Sequence, residues 1–207
     1  MDQPHPSDPD SRGLRLAPPP LTTTFWRAVQ QGRSRAVRAL AEEHPHLVHW
    51  ANVDRTALME ATSRGHNSVV EDLIALGADV DAHTPRDWTA LHLGAHVGAV
   101  MPIRILLDAG ADARRTNDEG HTPLIVAVRA GQETVVQTLI QRGVDVHQPD
   151  GWGAPLHHAI AKRQRAIAQR LINAGADRDA RDALHRTARE RARDVGWSFD
   201  YDQHMTL

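Results

Sequence analysis

The 207 residues contain no cysteine, so no disulfide staples the fold and no thiolate acts as nucleophile or metal ligand. No apolar run reaches the roughly eighteen residues that a membrane-spanning helix needs. The start of the chain lacks a basic segment followed by an apolar core, so no secretory signal is expected and the cytoplasm is the expected compartment. Lysine is nearly absent too: Lys162 stands alone among 24 basic residues, the rest being arginine. Together with the many alanines this points to a genome rich in G and C, and so to a bacterial source. The formal charge is only −2, which gives no general drive toward nucleic acid. Nor is there a glycine-rich phosphate loop, because the glycines recur at a fixed interval instead.

That interval organises the chain. Thr56, Thr89 and Thr122 are 33 residues apart, as are Gly65, Gly98 and Gly131. Leu73, Leu106 and Leu139 keep the same step, and so do Gly77, Gly110 and Gly143. The next step is one residue short and reaches Ala154, Leu171 and Gly175. A period of this length means stacked units, none of which buries its apolar face alone.

The motifs inside the period are Thr89-Ala90-Leu91-His92, Thr122-Pro123-Leu124-Ile125 and Ala154-Pro155-Leu156-His157. Each unit closes on Gly-Ala-Asp, at Gly77, Gly110 and Gly175, or on Gly143-Val144-Asp145. Over roughly residues 22 to 197 this resembles the ankyrin repeat family. The resemblance implies an all-α repeat: a curved, ankyrin-type solenoid of antiparallel helix pairs joined by hairpin-like loops. Departures from the pattern are local. Arg163 replaces the glycine between the two helices, Asp54 and Asp87 replace the hairpin glycine, and Gly94 replaces the helix alanine.

Residues 1–21 read as a disordered proline-rich tail, with six prolines among the first twenty positions. Residues 22–207 read as one repeat domain of about five helix pairs plus a terminal half-repeat. The first helix is expected from Thr24 as N-cap and the second over 34–43. Trp50 should cover the end of that first pair. Later pairs are expected over 57–64 and 68–76, 90–97 and 100–108, 123–130 and 133–142, and 155–162 and 165–174. A lone helix within 187–196 precedes Trp197, Phe199 and Tyr201, which are expected to cap the exposed end of the stack.

Charge is uneven. From Glu42 to Asp87 nine acids face three arginines, a balance of −6, whereas from Ala161 to Arg193 the balance is +6. Such a distribution steers charged partners.

His92 and His96 have the spacing of metal ligands on a helix, but no general-base glutamate accompanies them. His92 holds the recurrent histidine position of the resembled family, as does His157. The resemblance gives such a histidine a structural task, tying the threonine of its repeat to backbone. No metal and no cofactor are therefore expected. Glu60, His96 and His121 are the candidate acid–base groups.

The resemblance also implies a concave groove lined by hairpin tips and inner helices. Matched onto this chain, the tips hold Arg55, Trp88, His121 and Gly153, flanked by Arg86, Glu119 and Trp152. The inner helices add Arg64, His96, Arg129 and Lys162, next to Ser63, Val97 and Ala130. Tryptophan and arginine are the side chains most enriched at binding hot spots, so Trp88 and Trp152 are the expected anchors. The expected function is a non-catalytic protein-binding scaffold, monomeric, with another protein as partner and no membrane or nucleic-acid role. The alternative is a small-molecule enzyme or ligand-binding protein that uses the same concavity, through histidine and glutamate and without a cofactor.

Overall fold

The computed structural model describes residues 21–52 and 54–197. The proline-rich tail before them, and Phe199 and Tyr201 after them, lie outside the described residues. Among these, the chain forms helix pairs at the expected interval. The first pair is α1 (Leu21–Gln30) and α2 (Ser34–Glu43), followed by a 3-10 turn over Pro45–His49. Then come α3 (Ala57–Ser63) and α4 (Asn67–Ala75), α5 (Ala90–Val97) and α6 (Val100–Asp108), and α7 (Pro123–Ala130) and α8 (Glu133–Gln141). The last elements are α9 (Pro155–Ala161) with α10 (Arg165–Asn173), and α11 (Ala188–Asp194) alone. None of these helices is long and apolar enough to cross a membrane.

The expected boundaries hold to within a residue or so, except at the start. Thr24 is not an N-cap: α1 begins at Leu21 and carries Thr24 inside it. Thr22, Phe25, Ala28 and Val29 are all buried, so the core-facing stripe starts one turn earlier than the bulky residues suggested. Trp50 does cover the first pair, meeting Trp26 of α1 edge-on at a ring separation of 5.3 Å.

The recurrent threonine is the N-cap of α3, α7 and α11. Thr56, Thr122 and Thr187 accept the backbone N–H three residues on, at 3.3, 3.3 and 3.2 Å. Each satisfies a donor that the first turn of a helix leaves unpaired. The recurrent leucines Leu58, Leu91, Leu124 and Leu156 follow two residues later and are fully buried. Outer helices contribute buried Val37, Leu73 and Leu106 in one stretch of the chain and Leu139 and Leu171 in another. The turn between inner and outer helix needs a left-handed residue, and Gly131 supplies it at φ 74°. Arg163 adopts φ 57° at the corresponding place, so the replaced glycine leaves the turn geometry unchanged.

The described chain divides into two compact units. The first holds residues up to Leu93 together with 101–111, and the second holds 94–100 and the residues from Asp112 onward. In the first, a two-stranded hairpin, β1 (Ala51–Asn52) and β2 (Arg55–Thr56), leads into α3. In the second, α7 packs on α9, and α9 on both α10 and α11.

Candidate functional site

Each later hairpin is built around one short polar side chain that gathers the backbone of its own turn. Thr84 Oγ1 accepts from the N–H groups of Arg86 and Trp88 at 3.2 and 3.1 Å. Asn117 Oδ1 accepts from Glu119 and His121 at 3.0 and 2.9 Å. Asp182 Oδ1 accepts from Leu184 and Arg186 at 2.7 and 3.1 Å. These hairpins turn through a left-handed residue, at Asp87, Gly120 and His185.

The hairpin of Asp150 is different because it is one residue shorter. Asp150 Oδ1 accepts from Trp152 and Gly153, at 2.7 and 2.8 Å, two and three positions on. No residue from Asp150 to Gly153 has positive φ. The deletion recorded in the repeat spacing thus lies inside this turn. Beside this shortened turn Trp152 packs inward. The indole lies 4.6 Å from the His158 ring and under the Arg191 guanidinium at 4.2 Å.

A buried polar cluster forms beneath it in the second unit. Asp150 Oδ2 lies 2.8 Å from His158 Nε2 and 3.2 Å from His121 Nε2. The carboxylate is 2% exposed and the two imidazole rings less than a tenth. The approach of His158 is off the hydrogen-bond direction, so its Nε2 and Asp150 Oδ2 lack an aligned partner. Burial pushes His158 below its ordinary pKa, outweighing the pull of Asp150. Burial, with the Arg129 charge second, does the same to His121. Asp150 behaves oppositely. Burial raises its carboxyl, but the N–H groups of Gly153 and Trp152, with His158, outweigh that and hold it low. Next in line, Arg191 pairs with Asp182, whose carboxylate burial pushes up and the Arg186 N–H and Arg191 hold down.

In the first unit Glu60 is also buried, at 6% exposure, and surrounded by donors. Arg64 Nε lies 2.6 Å from it, Gln30 Nε2 3.2 Å and Arg55 3.7 Å. The candidate acid is therefore neutralised by two of the arginines expected to face a partner. His92 does what the recurrent histidine was expected to do: its Nδ1 lies 2.9 Å from Thr89 Oγ1, with the ring fully buried. His157 makes the equivalent tie through Nε2 to the Ala180 carbonyl at 3.1 Å.

Several expected groove residues are placed differently from the sequence reading. His121 is buried at 7% exposure, held in the cluster with Asp150. Trp88 is half-buried, its ring 6.0 Å from that of His92, so its packing role is real where an optional one was expected. Trp152 is likewise half-buried. Both indoles have a ring beside them, which a free tip position would lack. Gly153 is buried as well: a Cβ there would sit 3.2 Å from Asp182 and His157. Arg55, Arg64, Arg86, His96, Glu119 and Arg129 are exposed, as expected. Asp150, His158 and Arg191 escaped the sequence reading. A signal was present, since Asn117, Asp150 and Asp182 recur almost at the repeat interval.

Comparison with known proteins shows the family of the chain. The family model of ankyrin repeats in three copies matches residues 58–150 and 105–182. The nematode Caenorhabditis elegans "Ankyrin repeat and KH domain-containing protein mask-1" is 31% identical over 73% of this chain and 6% of its own length. The rice "Probable E3 ubiquitin-protein ligase XBOS34" is 35% identical over 55% of this chain and 23% of its own. The human "Neurogenic locus notch homolog protein 2" is 35% identical over 63% of this chain and 6% of its own. The chain thus spans less than a quarter of each of these relatives. All three are eukaryotic, so they lend no support to the bacterial source expected from composition.

Proposed function

Because the chain belongs to the ankyrin repeat family, we propose that it is a non-catalytic scaffold that binds another protein through its hairpin tips and inner-helix ends. The observation that carries this reading is a division of labour among polar residues. Three buried carboxylates face basic groups of the fold itself: Glu60 lies by Arg55 and Arg64, Asp150 by two histidines, Asp182 by Arg191. The positions that change from repeat to repeat are exposed and charged, at Arg86 in the first unit and at Glu119 and Arg129 in the second. Side chains of that kind, on a rigid helical frame, suit recognition of a protein surface. Arginine adds a planar fork for partner carboxylates.

The test is affinity capture from the source organism followed by calorimetry with the purified partner. Arg86→Glu should weaken binding by about 30-fold or more, the effect of losing a ~2 kcal/mol contact. Arg104→Ala, on the outer helix α6, should leave affinity unchanged. Binding that survives Arg86→Glu and Arg129→Glu but fails with Arg104→Ala would move the interface to the outer helices and sink the reading.

A further inference from the structure

The turns between inner and outer helices follow one pattern until the last. They read Arg64-Gly65-His66, Val97-Gly98-Ala99 and Ala130-Gly131-Gln132, and then Lys162-Arg163-Gln164. The three glycines have φ of 71°, 84° and 74°, and Arg163 takes 57°. The left-handed region suits glycine and is unfavourable for a side chain with a Cβ, arginine included. Strain held at an exposed turn, where glycine would fit, asks what the side chain is for.

The charge around this turn sharpens the question. Some arginines of the second unit have carboxylates: Arg170 has Glu133 at 2.7 Å, Arg186 has Asp194 at 2.6 Å, and Arg189 has Asp179 at 3.4 Å. Among the described residues, Arg129, Lys162 and Arg163 are exposed and pair with no acid. They share one edge of the second unit. Arg129 lies in the last turn of α7, Lys162 is the C-cap of α9, and α7 packs on α9. The two turns are in contact, since a Cβ on Gly131 would sit 3.3 Å from Gln164 Nε2. Arg165 extends the edge, its guanidinium 5.3 Å above the Trp197 ring.

We propose that this edge docks an acidic peptide segment of a partner protein, with Arg129, Lys162 and Arg163 receiving its carboxylates. The proposal rests on the scaffold reading above and names the partner chemistry for one part of it. Unmatched cations attract carboxylates at long range, and arginine forks then fix them in bidentate geometry. The same edge is poorly made for nucleic acid. Its aromatic ring, Trp197, is buried at 9% exposure, which leaves no face for a base to stack on.

The probe is a fluorescein-labelled oligoglutamate peptide, followed by anisotropy at physiological salt, on the full chain. Arg129→Gln and Lys162→Gln should each weaken it several-fold, and the double change by ~10-fold or more. Arg163→Gly should weaken binding while raising the melting midpoint, because it removes the left-handed arginine. Arg193→Gln, an exposed cation on α11, should change neither. Equal weakening by Arg193→Gln, or a melting midpoint lowered by Arg163→Gly, would overturn the assignment. So would tighter binding of a labelled DNA strand than of the peptide. Failure here with Arg86→Glu still releasing the natural partner would overturn the edge alone; loss of both effects would also remove the scaffold reading.

Discussion

His157 Nδ1 is buried without a hydrogen-bond partner, and the residue three positions before it, Ala154, stands where other repeats have threonine. In the third repeat the same pair is Thr89 and His92, with the hydroxyl 2.9 Å from Nδ1. Ala154 thus removes both a helix cap and the acceptor–donor partner of a buried imidazole. Ala154→Thr should restore both. A cap alone is worth about 1 kcal/mol, and satisfying a buried polar atom adds a similar amount. We expect a gain of ~1–2 kcal/mol in urea unfolding. No gain would mean that the short hairpin before Ala154 holds the backbone out of capping geometry.

Gly153 is required by close approach. A Cβ there would meet Asp182 and the His157 Cβ and Cγ atoms at 3.2 Å. Gly153→Ala should therefore cost ~1–3 kcal/mol, the usual range for overpacking. Gly143→Ala, where a Cβ meets nothing within 4 Å, separates the two effects: its cost is limited to the strain of φ 74°. Equal losses at both sites would show that crowding at Gly153 is relieved by movement.

Stability should fall on acidification in two stages. Burial is the leading cause that lowers the folded pKa of His121, His157 and His158. Above the unfolded value of about 6.5 both states are neutral and nothing is lost. As pH drops below it, the unfolded chain takes up protons that the folded chain resists, and stability declines until the lowered folded values are reached. Asp150 and Asp182 are also held low, despite burial, by backbone donors and their charged or polar neighbours. Their contribution is present above about pH 4 and is lost below it. Urea midpoints measured from pH 8 to pH 3 should show both declines. His121→Gln should make the first decline shallower, with His157 and His158 still contributing. A flat profile between pH 7 and pH 5 would contradict the histidine assignment.

Trp197 packs against the last unit. It is buried at 9% exposure with Arg165 over its ring, at the place after the left-handed Gly196 where earlier repeats put His66 and Gln132. Those residues tie one turn to the preceding one, as Gln132 does through the His96 carbonyl at 3.0 Å. Trp197→Ala should cost ~2–4 kcal/mol through lost burial. A change below ~0.5 kcal/mol, read from a thermal or denaturant melt, would mean that this indole does not cap the array.

The helix pairs were legible because the repeat writes each structural demand several times over. Threonine caps, leucine cores and glycine turns recur at one interval, and a single irregular member does not hide the pattern. The site was less legible for the opposite reason. Its distinguishing event is a deletion inside one hairpin, which breaks alignment where position matters most. Trp152 therefore read as a binding anchor beside a tip, and the structure has it packed onto His158. His121 read as a groove side chain, although its partner Asp150 comes from the next hairpin. Pairing across repeats depends on stacking, which spacing within one repeat does not encode. Trp88 shows a further limit: the sequence marked it as a binding anchor at a tip, and the ring of His92 is beside it.

The distribution of indoles gives the molecule a built-in set of optical reporters. Trp26 and Trp50 pair in the first unit, whereas Trp152 and Trp197 sit in the second, each beneath an arginine. Fluorescence from the first pair follows opening of the N-terminal repeats, and the latter two follow the C-terminal ones. Stacked repeats unravel by neighbour-to-neighbour steps, so tryptophan-to-phenylalanine replacements would time the fraying of each terminal region separately. Trp152 carries extra information, because protonated imidazole quenches indole emission and His158 lies against it.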